Sequence, residues 1–217
     1  MTEKFFWADP YRTTLDTQVV TVDGNDITVA ATIFYALSGG QESDAGTIGD
    51  RPVLAARKAG RDIVYTLADG HGLQPGDEVE IAIDWDRRYR LMRLHFAAEV
   101  VLELCYRLLP GVEKIGAHIA ADKARIDFAL SESITGHFPV LRDQAMAIVA
   151  ADEPIVSAFS DEANERRYWK ISAFAEVPCG GTHLRRTGEI GDITLKRKNI
   201  GRGKERIEIR VDDRPAP

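Results

Sequence analysis

The chain is 217 residues long, 44% hydrophobic and 29% charged, enough to bury one large core or two small ones. Its formal charge of −6 argues against a protein that coats nucleic acid indiscriminately, so any nucleic-acid partner must meet a local basic patch. No run approaches the roughly 20 apolar residues of a membrane span, the opening MTEKFFWADPYR lacks signal-peptide order, and two cysteines, Cys105 and Cys179, make no disulfide framework, which points to a cytoplasmic protein with no membrane partner.

Across residues 13–83, short β-branched runs alternate with turn signals. QVVTV, the turn Asp23-Gly24-Asn25 and DITVAATIFY predict a hairpin. PVLAARK and DIVYTL flank a turn at Ala59-Gly60-Arg61, and EVEIAI follows Pro75-Gly76-Asp77. Strands at this spacing, without helical periodicity, predict a small antiparallel barrel. Among them, Ser38-Gly39-Gly40-Gln41 forms a loop whose two glycines permit close approach of a ligand.

The pattern changes at Asp84-Trp85-Asp86, and residues 87–109 predict one long helix, ended by Pro110-Gly111. Leu91, Leu94, Ala98, Val101, Leu102, Cys105 and Leu108 recur at helical spacing as its core-facing stripe, with His95 and Glu99 beside it. Then come a strand in ARIDFAL, a helix near VLRDQAMAIVAA, a strand in PIVSAFS, a turn at Pro178, and two strands in ITLKRKNIGRGKERIEIRV. The expected class is α+β. An N-terminal barrel unit (1–86) precedes a second unit (87–217), in which a long helix packs on an antiparallel sheet.

His95 and Glu99 are four residues apart on one helical face, where they either flank the core and pair at the surface or grip one ion. Cys179-Gly180-Gly181-Thr182-His183 places a thiolate and an imidazole in one turn. That motif is read either as a metal half-site, suggesting zinc, or as a reduced cysteine near an unrelated histidine. The two pairs together suggest one zinc ion held by His95, Glu99, Cys179 and His183. His71, His118 and His137 lack comparable partner spacing and read as structural or surface residues.

Several separated stretches resemble the AlaX proteins, relatives of the editing domain of alanyl-tRNA synthetase. They are Thr32-Ile33-Phe34-Tyr35, Ser38 to Gln41 with Asp44-Ala45-Gly46, the helical pair at His95, Cys179 to His183, and Thr187 to Gly191. The resemblance covers nearly the whole chain, includes an N-terminal barrel that the shortest members reduce or lack, and leaves no further C-terminal domain expected. It implies an ATP-independent aminoacyl-tRNA deacylase acting on mischarged alanine-specific tRNA, chiefly seryl-tRNA, with glycyl-tRNA as a second candidate. One motif departs: the family's second helical histidine is Glu99 here. The position favours a ligand role, with general base as the alternative.

By the same resemblance, Thr32 is the candidate reader of the serine hydroxyl, although on the sequence alone a strand threonine with an internally satisfied hydroxyl is the stronger reading. Gln41 is a catalytic candidate and Gly39, Gly40 and Asp44 are candidates for binding or orienting substrate, while Gln41 and Asp44 read alternatively as supports of the Gly loop and Asp44 equally as a turn residue. Arg185 and Arg186 would hold terminal phosphates of tRNA. Lys196, Arg197, Lys198, Arg202, Lys204 and Arg206 form a basic hairpin, either an RNA contact or a solvated face. The rival reading is a non-catalytic tRNA-binding module with structural zinc. A zinc hydrolase of small esters or peptides ranks last, because no His-Glu-x-x-His occurs.

Overall fold

The computed structural model describes residues 1–217, and the chain divides into two compact units, Met1–Tyr89 and Arg90–Pro215. Strands predominate, almost all paired antiparallel, and helices are few.

The first unit contains β1 (Glu3–Lys4), α1 (Phe5–Ala8), β2 (Thr14–Asp23), β3 (Asp26–Val29), β4 (Ala31–Thr32), β5 (Gly46–Ile48), β6 (Arg51–Pro52), β7 (Ala55–Ala59), β8 (Asp62–Thr66) and β9 (Glu78–Ile83). Seven of these strands form one ladder in the order β6-β5-β9-β2-β3-β8-β7, and β1 pairs with β4 in parallel. The predicted hairpin is β2 with β3. Period-2 alternation turns Leu15 and Val19 of β2, and Ile27 and Val29 of β3, inward, where they meet Ile48, Ile63, Tyr65 and Ile81 in one core. The ladder's two terminal strands, β6 and β7, are consecutive in the chain. Val53 N donates to Gly46 O and Leu54 N to Thr66 O, so residues 51–59 bond to both ends of the ladder. The crossing is tight at Gly46, where a Cβ would collide with the Ala82 carbonyl.

DITVAATIFY does not continue as one strand. Beyond β4, side chains take over the backbone donors: Phe34 N bonds Thr32 Oγ1 at 3.0 Å and Tyr35 N bonds Asp44 Oδ2 at 2.6 Å. Arg88 fixes this corner from within. Its fully buried guanidinium holds both oxygens of the equally buried Asp44, and also donates to Ile33 O at 2.6 Å and Pro10 O at 2.9 Å.

Helix α2 (Trp85–Leu108) starts in the first unit and continues through the second. There follow β10 (Glu113–Ile119), β11 (Ala124–Ala129), α3 (Phe138–Ala151), β12 (Val156–Asp161), β13 (Arg166–Ile171), β14 (Ala175–Pro178), β15 (Ile193–Asn199) and β16 (Lys204–Val211). They form a sheet of order β10-β11-β16-β15 and a second of order β12-β13-β14. The simple stripe expected of α2 is replaced by continuous burial from Leu91 to Ala98. Polar residues within that run are accommodated by partners of their own. Arg93, 1% exposed, donates to Ile190 O at 2.9 Å and pairs with Asp212.

Candidate metal centre

Three elements of the second unit bring donors together. His95, on α2, is 4% exposed. Cys179 follows β14 directly, and its backbone N donates to Arg167 O at 2.9 Å, tying the turn to β13. His183, 3% exposed, lies four residues on. The Cys179 sulfur is 3.5 Å from His95 Nε2 and 3.3 Å from His183 Nε2, and ligand atoms of all three residues lie within 4.8 Å of one another.

These separations fit a metal. A tetrahedral ion bonded at about 2.0–2.1 Å to nitrogen and about 2.3 Å to sulfur holds the two donors about 3.6 Å apart. The mixed imidazole and thiolate set is of borderline softness, and three protein donors leave one tetrahedral position open. Ser157 Oγ lies 2.8 Å from His183 Nδ1, which fixes that ring and leaves Nε2 facing the sulfur. His95 Nδ1 is buried without a hydrogen-bond partner, so Nε2 is the ring's directed atom.

The electrostatics of this cluster are strongly coupled. Burial opposes protonation of His95, yet the Cys179 sulfur and the Glu99 carboxylate outweigh it and raise the imidazole to about 10. His183 moves the other way, held well below the usual histidine range by burial, by His95 and by Arg167. Burial also lowers Arg167, with the Cys179 sulfur opposing it.

Glu99 stands beside the three donors and is not one of them. Its Oε1 is 3.4 Å from His95 Nε2, and its Oε2 accepts the indole N–H of the fully buried Trp169 at 3.1 Å. Burial would raise its pKa, but His95 and Trp169 overcome that and hold the carboxyl below its usual value. Ser157, Arg167 and Trp169 carry no spacing signal that sequence reasoning could have used. Each meets its partner across at least 12 residues of chain.

Thr32, Gly39, Gly40, Gln41 and Asp44 belong to the first unit. Thr32 is wholly buried, and its hydroxyl is shared with Tyr65 Oη at 2.6 Å and Phe34 N. Ser38 and Gln41 exchange backbone hydrogen bonds at 3.2 and 3.0 Å across Gly39 and Gly40, with φ of 60° and 90°. This is the two-residue hairpin turn that needs positive φ at both central positions. Gln41 is 1% exposed, and Asp44 is committed to Arg88 and Tyr35 N. Arg185 and Arg186 are exposed in the second unit. The Arg186 guanidinium is engaged by Asp152, 2.8 Å from its Nε. In the basic hairpin, Arg197 and Arg206 are taken by Glu205 and Asp127. Cys105 is buried in α2, its thiol pushed up to about 12 by burial, and stands outside the cluster.

A histidine from a long helix, joined by the Cys and His of one turn beside antiparallel strands, defines a class of domain. Residues 170–208 match the threonyl and alanyl tRNA synthetase second additional domain. Over greater length, the chain is 34% identical across 224 residues to alanyl-tRNA editing protein AlaX-M of Pyrococcus horikoshii, covering 96% of this chain and 97% of that one. It is 31% identical across 245 residues to AlaX-M of Methanosarcina barkeri, covering 98% and 100%. Against the alanine–tRNA ligase of Methanococcus aeolicus, identity is 29% across 229 residues, 95% of this chain but 25% of the ligase. The chain belongs to the AlaX-M family of alanyl-tRNA editing proteins.

Proposed function

We propose that the protein is a trans-editing hydrolase that removes serine, and secondarily glycine, from mischarged alanine-specific tRNA, with one zinc ion held by His95, Cys179 and His183. The observation that carries this reading is the convergence of those donors on one point, in a chain whose relatives are named as editing proteins over nearly their whole length. Bound there, zinc would supply Lewis-acid polarisation of an ester oxygen or a bound water of lowered pKa. The Trp169 indole N–H donates to Glu99 Oε2 and orients the carboxylate beside the donors, which supports its reading as a proton acceptor beside the metal, as distinct from a fourth ligand. Ser157 orients His183, and the depressed pKa of His183 keeps its imidazole neutral and available as a donor.

We read residues 1–86 as a small barrel and residues 87–217 as a separate editing domain. The bonding of residues 51–59 to both ends of the first unit's ladder supports the barrel. A separate editing step is useful because an apolar pocket rejects a substrate with one added hydroxyl by only about a hundredfold. The test is incubation of purified protein of measured zinc content with seryl-, glycyl- and alanyl-tRNA for alanine. Release of serine and glycine, with alanine retained, is expected. Full zinc occupancy with no release defeats the deacylase reading in favour of a structural ion.

A further inference from the structure

The four-stranded sheet β10-β11-β16-β15 has one face packed inward and one face open. Register assigns every side chain, because directly paired residues share a face. Ile207 pairs with Ile126, and Ile209 with Ala124, on the buried side, together with Ile193 and Phe128. The opposite parity carries Arg206, Glu208 and Arg210 on β16, Arg125 and Asp127 on β11, and Lys196 and Lys198 on β15. Lys123 reaches this face from the β10–β11 turn to meet Glu208 at 2.9 Å. Cations outnumber carboxylates here, although the whole chain carries −6.

The two central carboxylates act as spacers within this array. Asp127 lies between Arg125 and Arg206, at 2.5 and 2.6 Å. Glu208 pairs with Lys123, and the charges of Lys196 and Lys198 help keep it ionised. The carboxylates relieve repulsion among the cations and fix their spacing, while Lys196, Lys198 and Arg210 remain exposed. The outer positions on the paired strands hold no Phe, Tyr or Trp; their one ring is His118, which pairs with Arg125, and Ile115 is exposed at the β10 bulge. A lone imidazole among cations is not a row of stacking rings, and a lone edge isoleucine is a small apolar anchor for a membrane. Gly116 keeps the edge over Asp127 low, since a Cβ there would stand 3.3 Å from Oδ2.

We propose that this open sheet face is a docking surface for the phosphodiester backbone of RNA, which contacts phosphates without reading bases. The proposal deepens the tRNA-editing reading and rests on it for the identity of the RNA. The surface supplies affinity and orientation, while discrimination among tRNAs is made elsewhere.

The test uses the full-length, zinc-loaded protein and unacylated tRNA for alanine, whose binding requires no hydrolysis. Lys196→Thr/Lys198→Thr keeps β propensity and leaves Glu208 its Lys123 partner. Affinity should fall at least about fivefold at 0.1 M salt, and the slope of log K against log salt should shrink by about 1.5. Affinity for an unrelated tRNA should fall equally, and Lys196→Arg/Lys198→Arg should retain wild-type binding. An unchanged affinity and salt slope in the threonine variant would overturn the proposal. So would equal loss in the arginine variant, or loss of binding to anionic lipid vesicles with RNA binding intact. Absence of deacylation with RNA binding still dependent on these lysines would defeat the proposed function alone.

Discussion

Asp44→Asn probes the buried pair that holds the corner of the first unit. Arg88 and Asp44 side chains are both 0% exposed, so the guanidinium depends on this carboxylate for charge balance. Asparagine keeps the volume but turns an amide N–H₂ toward a group that only donates, and leaves a single side-chain oxygen to accept from both the guanidinium and Tyr35 N, which now bonds Oδ2 at 2.6 Å. Breaking a buried pair from one side costs about 3–5 kcal/mol, whereas replacing both partners with apolar residues costs much less. We expect a loss of about 3–5 kcal/mol in urea unfolding followed by circular dichroism, with an unchanged m-value; Asp44→Leu/Arg88→Met removes the charge imbalance but leaves Tyr35 N and the Ile33 and Pro10 carbonyls without these partners, so its recovery should be partial. A loss below about 1 kcal/mol would refute the clamp. A raised KM at unchanged stability would show instead that Asp44 meets substrate directly.

Thiol labelling separates the two cysteines: metal-free protein should take one label, at Cys179, zinc should suppress it, and Cys105 should react only after unfolding, as its burial and raised pKa require. Labelling of native Cys105 would contradict its placement. Ser157→Ala should weaken zinc affinity at least about tenfold in a competitive chelator titration, since it removes the 2.8 Å contact that orients His183; an unchanged affinity would remove Ser157 from the site. Asp127 has a folded pKa below its ordinary value, because Arg206 and Arg125 outweigh the effect of burial. Its contribution is therefore full above its unfolded pKa near 3.9 and is lost as pH falls through the lower folded value. Asp127→Asn should cost roughly 1–2 kcal/mol at neutral pH, with the gap from wild type closing only below about pH 4, measured by denaturation across pH; a gap independent of pH would contradict the ion pairing.

What could be read in the sequence was short-range. The β2–β3 hairpin follows from alternation around Asp23-Gly24-Asn25, and α2 from its long uninterrupted run before Pro110. Cys179 and His183 share one turn, so their meeting needs no tertiary information. Three strands gave no clear pattern. In β10 a register shift between Lys114 and Gly116 breaks the alternation. β13 opens with Arg166 and Arg167, yet Arg167 is only 6% exposed and lies over the Phe159 ring. β14 ends in Pro178, which reads as a breaker. Asp44 and Glu99 show the same limit at the level of side chains. Their partners Arg88 and Trp169 are 44 and 70 residues distant, and nothing local announces them.

The most direct test of the central claim is a zinc titration of metal-free protein with serine release from seryl-tRNA as the readout. The account predicts that the rate rises linearly to one ion per chain and then stays level, and that Cys179→Ala loses both zinc and rate. Full serine release from metal-free protein, or from Cys179→Ala without zinc, would contradict it.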